Sequence, residues 1–412
     1  MNFQTFKFHP AVSAGVTAAG FTTPTPIQKQ AMPAVMAGKD VMGLAQTGTG
    51  KTAAFALPIL NRLMAGKRGT TRALIVAPTR ELAEQIHEAI TLLGQKTGLK
   101  SIAIYGGVAI GPQIKSARRA DIIVACPGRL IDHIGRKTVD LSDLEVLVLD
   151  EADHMFDMGF LPDIRRILKQ IPAKRQTLLF SATMPEEIRG LAGESLVDPV
   201  TVKVGITAPV ETVSHALFPV AQHQKTPLLI KLLQQTRTDS VLVFTRTKHR
   251  AKRLGEQLSR AGYRAASLQG NLSQNRRQNA INGFRDGTYQ IMVATDIAAR
   301  GIDIANVSHV INYDIPNTAD AYIHRIGRTG RAAHTGEAYT MITDEDTQMV
   351  RAIDRVMGAK VERQTLPDFN YEAAAAKTNQ PPRPAGQKPS NRQHASPKPK
   401  HSRSAPTRKR RA

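Results

Sequence analysis

The chain has 412 residues and carries 56 Lys and Arg against 34 Asp and Glu, a formal net charge of +22. That length predicts two domains, and the charge indicates a polyanionic partner rather than a small acidic substrate. The single cysteine, Cys126, excludes an intramolecular disulfide and favours a reducing compartment such as the cytoplasm, and no apolar run is long enough to predict a membrane-spanning helix.

Short, almost wholly apolar segments recur in the first half of the chain, each with the length of a strand that is buried on both faces. They are 41–44, 73–77, 101–104, 121–124, 146–149 and 177–180. Charged, helix-length segments such as 80–93 and 162–170 lie between them. This alternation predicts an α/β fold with a doubly wound parallel sheet.

The same pattern starts again in the second half of the chain. Apolar runs at 240–244, 290–293, 309–311 and 338–342 alternate with helical segments such as 248–261 and 319–327. Turn and breaker residues at 203–209 indicate a linker between the two sets. We therefore predict two tandem α/β domains, 1–205 and 210–367, followed by a tail, 368–412.

The tail differs from both predicted domains in composition. Residues 377–412 contain 11 Lys or Arg, 7 Pro and no Asp or Glu, so they carry half of the net charge of +22. So little apolar material predicts disorder, and the charge predicts contact with phosphates without a fixed register. Because the chain has no Trp, 7 Tyr and 12 Phe, contacts to phosphates should outweigh stacking on bases.

A phosphate-binding loop is predicted where the first strand, 41–44, leads into a helix. The residues predicted to surround the nucleotide phosphates are Ala45, Gln46, Thr47, Gly48, Thr49, Gly50, Lys51 and Thr52. Lys51 would pair with the terminal phosphates, the Thr52 hydroxyl would bind Mg²⁺, and the helix N-terminus would add its partial positive charge. Ala45 stands where the consensus loop has Gly.

Three carboxylates follow the buried strand 146–149. Ligands of doubly wound sheets bind at the carboxyl ends of strands, so Asp150 is predicted to hold Mg²⁺. Glu151 is predicted to accept a proton from, or to position, the water that attacks the γ-phosphate. With Asp153, these residues spell Asp-Glu-Ala-Asp.

From Phe3 to about Leu366 the chain resembles the bacterial DEAD-box ATP-dependent RNA helicases, and most of all their RhlE branch. Further motifs of that family appear in order around the Asp-Glu-Ala-Asp sequence. The segment 20–28 resembles the Q motif, which implies that Phe21 and Gln28 bind adenine, with Phe3 as the upstream aromatic. The resemblance implies two RecA-like domains, with ATP and Mg²⁺ as cofactors and RNA as the partner.

The family motifs that contact nucleic acid are also present. By resemblance, RNA phosphates are expected at Pro78, Thr79, Arg80, Gly107, Gly128, Arg129, Arg246, Gln269, Gly270, Arg277 and Thr295. Cys126 replaces the Thr that usually begins one of these motifs, which removes one hydroxyl contact.

A last set of residues is expected to connect the nucleotide with domain movement. The resemblance assigns this coupling to Asp153, Ser181, Thr183, His324 and Arg325. It further places Asp303 near the nucleotide and makes Arg328 and Arg331, three residues apart, the arginine fingers that act on it. The second domain has no Gly-Lys-Ser/Thr of its own, so the nucleotide should bind between the domains.

We therefore predict RNA-stimulated ATP hydrolysis that is coupled to local unwinding of short RNA duplexes or to remodelling of RNA–protein complexes. Two other functions remain open at this point. A DNA translocase could use the same fold, because recognition of the 2′-hydroxyl is invisible in one sequence. A non-catalytic RNA clamp or annealing factor could bind through the basic tail alone.

Overall fold

The computed structural model describes residues 2–46, 48–204, 213–236, 239–299, 307–330 and 336–373. Residues Met1–Ala373 form one compact unit. The predicted site residues Thr47, Asp303 and Arg331 lie outside the described residues, as do the segment 377–412 and most of the predicted linker. Among the residues described, no helix combines the length and the apolar character needed to cross a bilayer.

The first half of the described chain forms a sheet of seven parallel strands in the order β3-β4-β2-β5-β6-β1-β7. The strands are β1 Val41–Leu44, β2 Ala73–Val76, β3 Ser101–Ile104, β4 Ile122–Ala125, β5 Val146–Leu149, β6 Gln176–Ser181 and β7 Val200–Lys203. The helices are α1 Pro10–Ala18, α2 Pro26–Met36, α3 Lys51–Leu63, α4 Arg80–Leu93, α5 Ile110–Ala117, α6 Pro127–Gly135, α7 Ala152–Asp157, α8 Leu161–Leu168 and α9 Glu186–Ser195.

The second half of the described chain repeats this topology in a second parallel sheet, with the order β10-β11-β9-β12-β13-β8-β14. Its strands are β8 Val213–Pro219, β9 Val241–Phe244, β10 Ala265–Leu268, β11 Ile291–Ala294, β12 His309–Asn312, β13 Gly336–Ile342 and β14 Glu362–Arg363. Its helices are α10 Lys225–Gln235, α11 Lys248–Arg260, α12 Gln274–Arg285, α13 Asp296–Ala299, α14 Ala319–Ile326 and α15 Thr347–Met357. Adding seven to each strand number of the first order gives the second, so the two halves share one fold.

Helices cover both faces of each sheet, which explains the continuous apolar runs in the central strands. Successive side chains of a strand point to opposite faces. In β2, Leu74 therefore packs with Leu147 and Leu179 on one face, while Ile75 packs with Phe180 on the other. Each such buried side chain stabilises the fold by about 1.5–3 kcal/mol relative to exposure.

The two parallel sheets confirm the predicted fold class, and several strands at their edges were missed. In β7 only Val202 is buried, and in β10 only Leu268 is. Both are edge strands, so neither has the continuous apolar run that marked the central strands. Residues beyond Pro367, assigned to the tail by the sequence, also pack on the second sheet: Phe369 is partly buried against its core cluster. The predicted domain boundaries stay a prediction.

Candidate active site

The phosphate loop connects β1 to α3 beside the strand end of β6. Ala45 N donates to Ser181 O at 3.0 Å, which places the start of the loop against that strand. Gly50 has a φ of +94°, and a Cβ there would lie 2.5 Å from Gln28 Nε2, so glycine is required. Lys51 begins α3 and is buried, with Nζ donating to Ala45 O at 3.0 Å. Lys51 therefore binds the backbone of the loop to which it belongs.

The Q-motif residues lie against this loop. Gln28 is buried; its Oε1 accepts from Thr25 N at 2.9 Å and its Nε2 donates to Gly50 O at 3.1 Å. Phe21 is 40% exposed and its ring stacks on Phe3 with centroids 5.9 Å apart. The structure therefore gives Gln28 a link to the phosphate loop, and its predicted contact with adenine stays a prediction.

The carboxylates that follow β5 are buried together at the same edge of the sheet. Burial raises the pKa of Asp150 to about 6; Lys51 opposes this rise and Glu151 adds to it. Glu151 occupies the left-handed region with a φ of +52°, which is rare for a residue with a side chain and marks strain at a functional position. Burial alone would raise the pKa of Glu151, but His154, Lys51 and Arg328 outweigh it and hold that pKa well below its usual range.

Asp153 joins the carboxylate segment to the end of β6, as the predicted coupling requires. Its Oδ2 accepts from Ala182 N at 3.2 Å and from Thr183 N and Oγ1 at 2.9 and 3.1 Å. Ser181 Oγ accepts from Asp153 N at 3.2 Å and donates to Thr183 O at 2.7 Å. A displacement of either segment therefore has to move the other.

His154 links Glu151 to the second half of the chain. His154 Nδ1 lies 2.9 Å from Glu151 Oε2, and His154 Nε2 lies 3.5 Å from His324 Nδ1 in the second half of the chain. Burial lowers the pKa of His324, and His154 and Arg328 add to that effect. His154 was missed in the sequence analysis, although its place three residues after Glu151, on one side of a helix, was a usable signal.

Arg325 is held within the second half rather than at the nucleotide loop. Its Nε and Nη2 bind the Asp296 carboxylate at 2.6 and 2.7 Å, and its Nη1 donates to Asn312 Oδ1 and to Asp314 O. Arg328 is buried and close enough to Glu151 to lower its pKa. The predicted finger Arg328 therefore faces the carboxylates across the interface.

A cavity of about 670 Å³ lies between the carboxyl ends of the two sheets. Its lining includes nine of the predicted nucleic-acid residues, which are Pro78, Thr79, Arg80, Gly128, Arg129, Arg246, Gly270, Arg277 and Thr295. Gly107 and Gln269 are not among the lining residues. Gly107 lies against the Arg80 guanidinium and has a φ of +79°, and Gln269 is buried with Oε1 accepting from Asn271 N at 2.6 Å.

Two arginines of this cavity bind protein groups. Arg277 Nε pairs with Glu81 Oε1 at 2.6 Å across the interface, and Gln274 Nε2 contacts the same oxygen at 3.4 Å. Arg129 donates from both Nη atoms to Val108 O at 3.2 Å. These contacts of Glu81 with Arg277 and Gln274 were not predicted, because nothing local in a sequence marks a partner almost 200 residues away.

Cys126 also lines the cavity, at the N-terminus of α6. Burial raises its pKa to about 12, and Glu81 adds to the rise, so the side chain stays a neutral thiol. It supplies neither the hydroxyl of the usual Thr nor a thiolate. The loss of one hydroxyl contact with RNA stays a prediction.

Two matching α/β units, one with the phosphate loop and the other with Arg328 close to the carboxylates beside that loop, define a nucleotide-driven enzyme of the helicase class. Comparison with known proteins specifies that class. Residues 25–191 match the DEAD/DEAH box helicase family, and residues 224–333 match the helicase conserved C-terminal domain. The DEAD-box ATP-dependent RNA helicase CshA of Bacillus subtilis is 42% identical over 372 residues, which cover 90% of this chain and 75% of CshA.

Solved structures agree with this assignment. Dbp5 of S. cerevisiae bound to RNA and ADP BeF3 is 31% identical, with a TM-score of 0.79 over 88% of this chain and 95% of Dbp5. A DEAD box protein of Methanococcus jannaschii is 37% identical, with a TM-score of 0.52 over 89% of this chain and 99% of that one.

The chain belongs to the DEAD-box ATP-dependent RNA helicases. This confirms the predicted family, the tandem RecA-like fold, the class of enzyme, the use of a nucleotide and RNA as the partner. Membership of the RhlE branch stays a prediction.

Proposed function

We propose that this chain hydrolyses ATP in the interface between its two halves and uses that reaction to separate short RNA duplexes locally or to remodel RNA–protein complexes. The observation that carries the proposal is the contact chain from Glu151 through His154 to His324. It joins the candidate hydrolytic carboxylate directly to the second half of the chain. A change in the position of His324 would therefore alter the surroundings of Glu151.

In the proposed reaction, the nucleotide phosphates take the place of the internal contact that Lys51 makes with Ala45. Glycine backbone N–H groups and the first turn of α3 would surround the same phosphates. Arg328, and by resemblance Arg331 and Asp303, would approach from the other half, where a cation stabilises the charge that develops on the transferred phosphoryl group.

Glu151 would hold the attacking water. With its pKa held low it is ionised at neutral pH, so it can only accept hydrogen bonds. His154 Nδ1 lies 2.9 Å from Glu151 Oε2, and a carboxylate held in this way would orient a water in line with the phosphate. The strained backbone at Glu151 fits this role, because such strain persists where the surrounding structure fixes a functional group.

Mg²⁺ fits the oxygen groups beside the loop. Asp150 supplies a buried carboxylate and Thr52 a hydroxyl, both of which are hard oxygen ligands. The described residues contain no group of three or more His, Cys, Asp or Glu that could hold a metal ion by itself, so phosphates and water would complete the ligand set. When bound, the ion neutralises charge on the transferred phosphoryl group.

Single-stranded RNA would lie in the cavity between the sheets, held mainly through its phosphates. The lining offers arginines, backbone groups at helix N-termini and few aromatic rings, which predicts little preference for base sequence. Because the cavity is shared by both halves, RNA and ATP would favour the same closed arrangement, and each would raise the affinity for the other.

We further propose the domain boundaries 1–205, 210–367 and 368–412. We also propose a cytoplasmic location, which the single free cysteine supports.

Steady-state ATP hydrolysis tests this function. The full chain is assayed without nucleic acid, with single-stranded RNA and with single-stranded DNA of the same sequence, and Lys51→Ala measures the background. We expect stimulation by RNA alone and no hydrolysis by the variant. Equal stimulation by DNA would support the DNA translocase instead, and the absence of hydrolysis in every assay would support the non-catalytic clamp.

A further inference from the structure

A basic groove of about 530 Å³ lies on the second half of the chain, between α11, the edge strand β10 and the start of α12. The cations that line it are Lys248, Lys252, Arg260 and Arg276, and all four are exposed. Apart from Lys248, which follows Arg246 by two residues, they belong to none of the motifs that the family resemblance or the proposed reaction uses. We call this surface the α11 groove.

The positive charge of the α11 groove is barely compensated. Its lining contains one acid, Glu256, whose Oε1 lies 3.8 Å from Lys252 Nζ. Both side chains of that pair are more than half exposed, and such surface pairs are weak and screened by salt. In the described part of the chain, Lys248, Arg260 and Arg276 form no ion pair.

The arrangement of these cations follows the helix. Lys248, Lys252, Glu256 and Arg260 are each four residues apart on α11, so they form one stripe along a single face. A helix of that length spans about 20 Å. Gly255 allows the helix to pack closely on β10, since a Cβ there would already lie 3.2 Å from Ser267 Cβ. The stripe therefore forms one wall of the α11 groove.

The α11 groove is continuous with the candidate RNA cavity. Lys248 and Leu272 line both spaces, and Gln269 of the groove is followed directly by Gly270 of the cavity. An RNA strand that leaves the cavity past Arg246 would therefore enter the α11 groove next. At about 3.4 Å per stacked nucleotide, the stripe is long enough for roughly five phosphates.

The chemistry of the α11 groove favours a nucleic-acid backbone over the alternatives. Its lining has several unpaired cations, small polar side chains and, apart from the imidazole of His249, no aromatic ring of Phe, Tyr or Trp, which suits phosphates better than bases. The chain's own tail is not a suitable occupant, because residues 377–412 carry 11 positive and no negative side chains. An acidic protein would be attracted too, but nothing connects such a partner to the adjoining cavity.

We propose that the α11 groove is an accessory RNA-binding site, which holds the phosphates of nucleotides that extend out of the central cavity on the side of the second half. This inference rests on the proposed function, since it requires RNA in the cavity. It implies that long single strands bind more tightly than strands that only fill the cavity.

The test uses a triple variant of the full chain, Lys252→Ala, Arg260→Ala and Arg276→Ala, which spares Lys248 because it also lines the cavity. The matched control is Lys39→Ala, Lys169→Ala and Lys174→Ala. These residues are also exposed, but they come just before strands β1 and β6, at the opposite end of the first sheet. Both variants lose three positive charges, so a difference between them reports position rather than net charge.

Binding of fluorescein-labelled oligouridylate of 6 and of 20 nucleotides is measured by anisotropy, with a non-hydrolysable ATP analogue, over a range of salt concentrations. For the groove variant we expect the affinity for the 20-mer to fall at least about tenfold, and the slope of log affinity against log salt to decrease by about 2, or 0.7 for each lost phosphate contact. Affinity for the 6-mer and ATP hydrolysis at saturating 6-mer should stay unchanged, and the control should match the unmodified chain.

An unchanged affinity for the 20-mer would overturn the accessory site. An equal loss for both lengths, or an equal effect of the control, would overturn it as well, because the charges would then act through the general field of the molecule. If the unmodified chain binds neither oligomer and is not stimulated by RNA, the proposed function itself fails, and this result is distinct from the others.

Discussion

At the scale of single residues, the position of Glu151 depends on one histidine. An ionised carboxylate can only accept a hydrogen bond, so His154 Nδ1 has to be the donor across their 2.9 Å contact. His154 Nε2 in turn lies 3.5 Å from His324 Nδ1. The two histidines therefore connect Glu151 with the second half of the chain.

Replacing His154 by Ala should therefore lower kcat for RNA-stimulated ATP hydrolysis about 10- to 100-fold, because Glu151 loses the group that fixes its orientation. KM for ATP should hardly change, since the phosphate loop is untouched. His154→Asn keeps a donor close to the position of Nδ1 but loses the contact with His324. We expect its kcat to lie between those of the Ala variant and the unmodified chain, with equal melting temperatures for both variants.

Steady-state kinetics at saturating RNA separates kcat from KM. If kcat of His154→Ala equalled that of the unmodified chain, Glu151 would be positioned by other groups. A parallel loss of kcat and melting temperature in both variants would mean that His154 serves only to stabilise the fold.

At the scale of elements, the phosphate loop and the Q motif fit together at Gly50. A Cβ at this position would lie 2.5 Å from Gln28 Nε2 and 2.9 Å from Thr25 Oγ1, and the φ of +94° is unfavourable for any L side chain. Gly50→Ala should therefore displace the loop from α2 and lower ATP affinity at least about tenfold. The backbone strain of an alanine in this conformation is of the order of 1–3 kcal/mol.

Equilibrium binding of a fluorescent ATP analogue measures this effect. Gly111→Ala is a suitable control, because a Cβ there would meet no atom within 4 Å. ATP affinity that is unchanged in Gly50→Ala would contradict the fit between the two motifs.

Most central strands were predictable, and so was the edge strand β3, whereas the edge strands β7 and β10 and the strand β8 were not. The strands 41–44, 101–104 and 146–149 and the helix 80–93 have the bounds expected from the sequence, because burial on both faces or on one helical stripe leaves a clear pattern. Strands β7 and β10 lie at edges where water replaces one neighbour. Their burial depends on the rest of the sheet, which the local sequence does not contain.

The candidate site also has parts that could be predicted from the sequence and parts that could not. The loop around Lys51 and the carboxylates after β5 follow from motifs whose residues are adjacent in the chain. The roles of Glu81 and Gln274 follow from contacts across almost 200 residues, so they became visible only with the fold.

At the scale of the whole molecule, closure of the two halves is secured by a buried ion pair. Arg277 Nε and Glu81 Oε1 are 2.6 Å apart, and both side chains are at most 10% exposed. When the halves separate, each charge regains water. When they close with one partner missing, the remaining charge is buried alone, at a cost of about 3–5 kcal/mol.

Glu81→Gln should therefore shift the equilibrium toward the open arrangement without unfolding either half. We expect the RNA concentration for half-maximal ATPase stimulation to rise at least about tenfold. The charge-swapped double variant Glu81→Arg, Arg277→Glu should recover part of the loss, because it restores the pair with opposite polarity. Glu194→Gln is the control: its pair with Arg165, at 2.7 Å, lies within the first half and is nearly half exposed, so its removal should leave RNA stimulation unchanged.

ATPase titrations with RNA, combined with the distance between one fluorophore on each half, distinguish closure from chemistry. A Glu81→Gln variant that closes normally but hydrolyses slowly would assign this pair to the reaction. A variant that neither closes nor hydrolyses at low RNA, yet reaches the normal kcat when RNA saturates, is the expected result, because excess RNA restores the population of the closed state that the lost ion pair no longer supports.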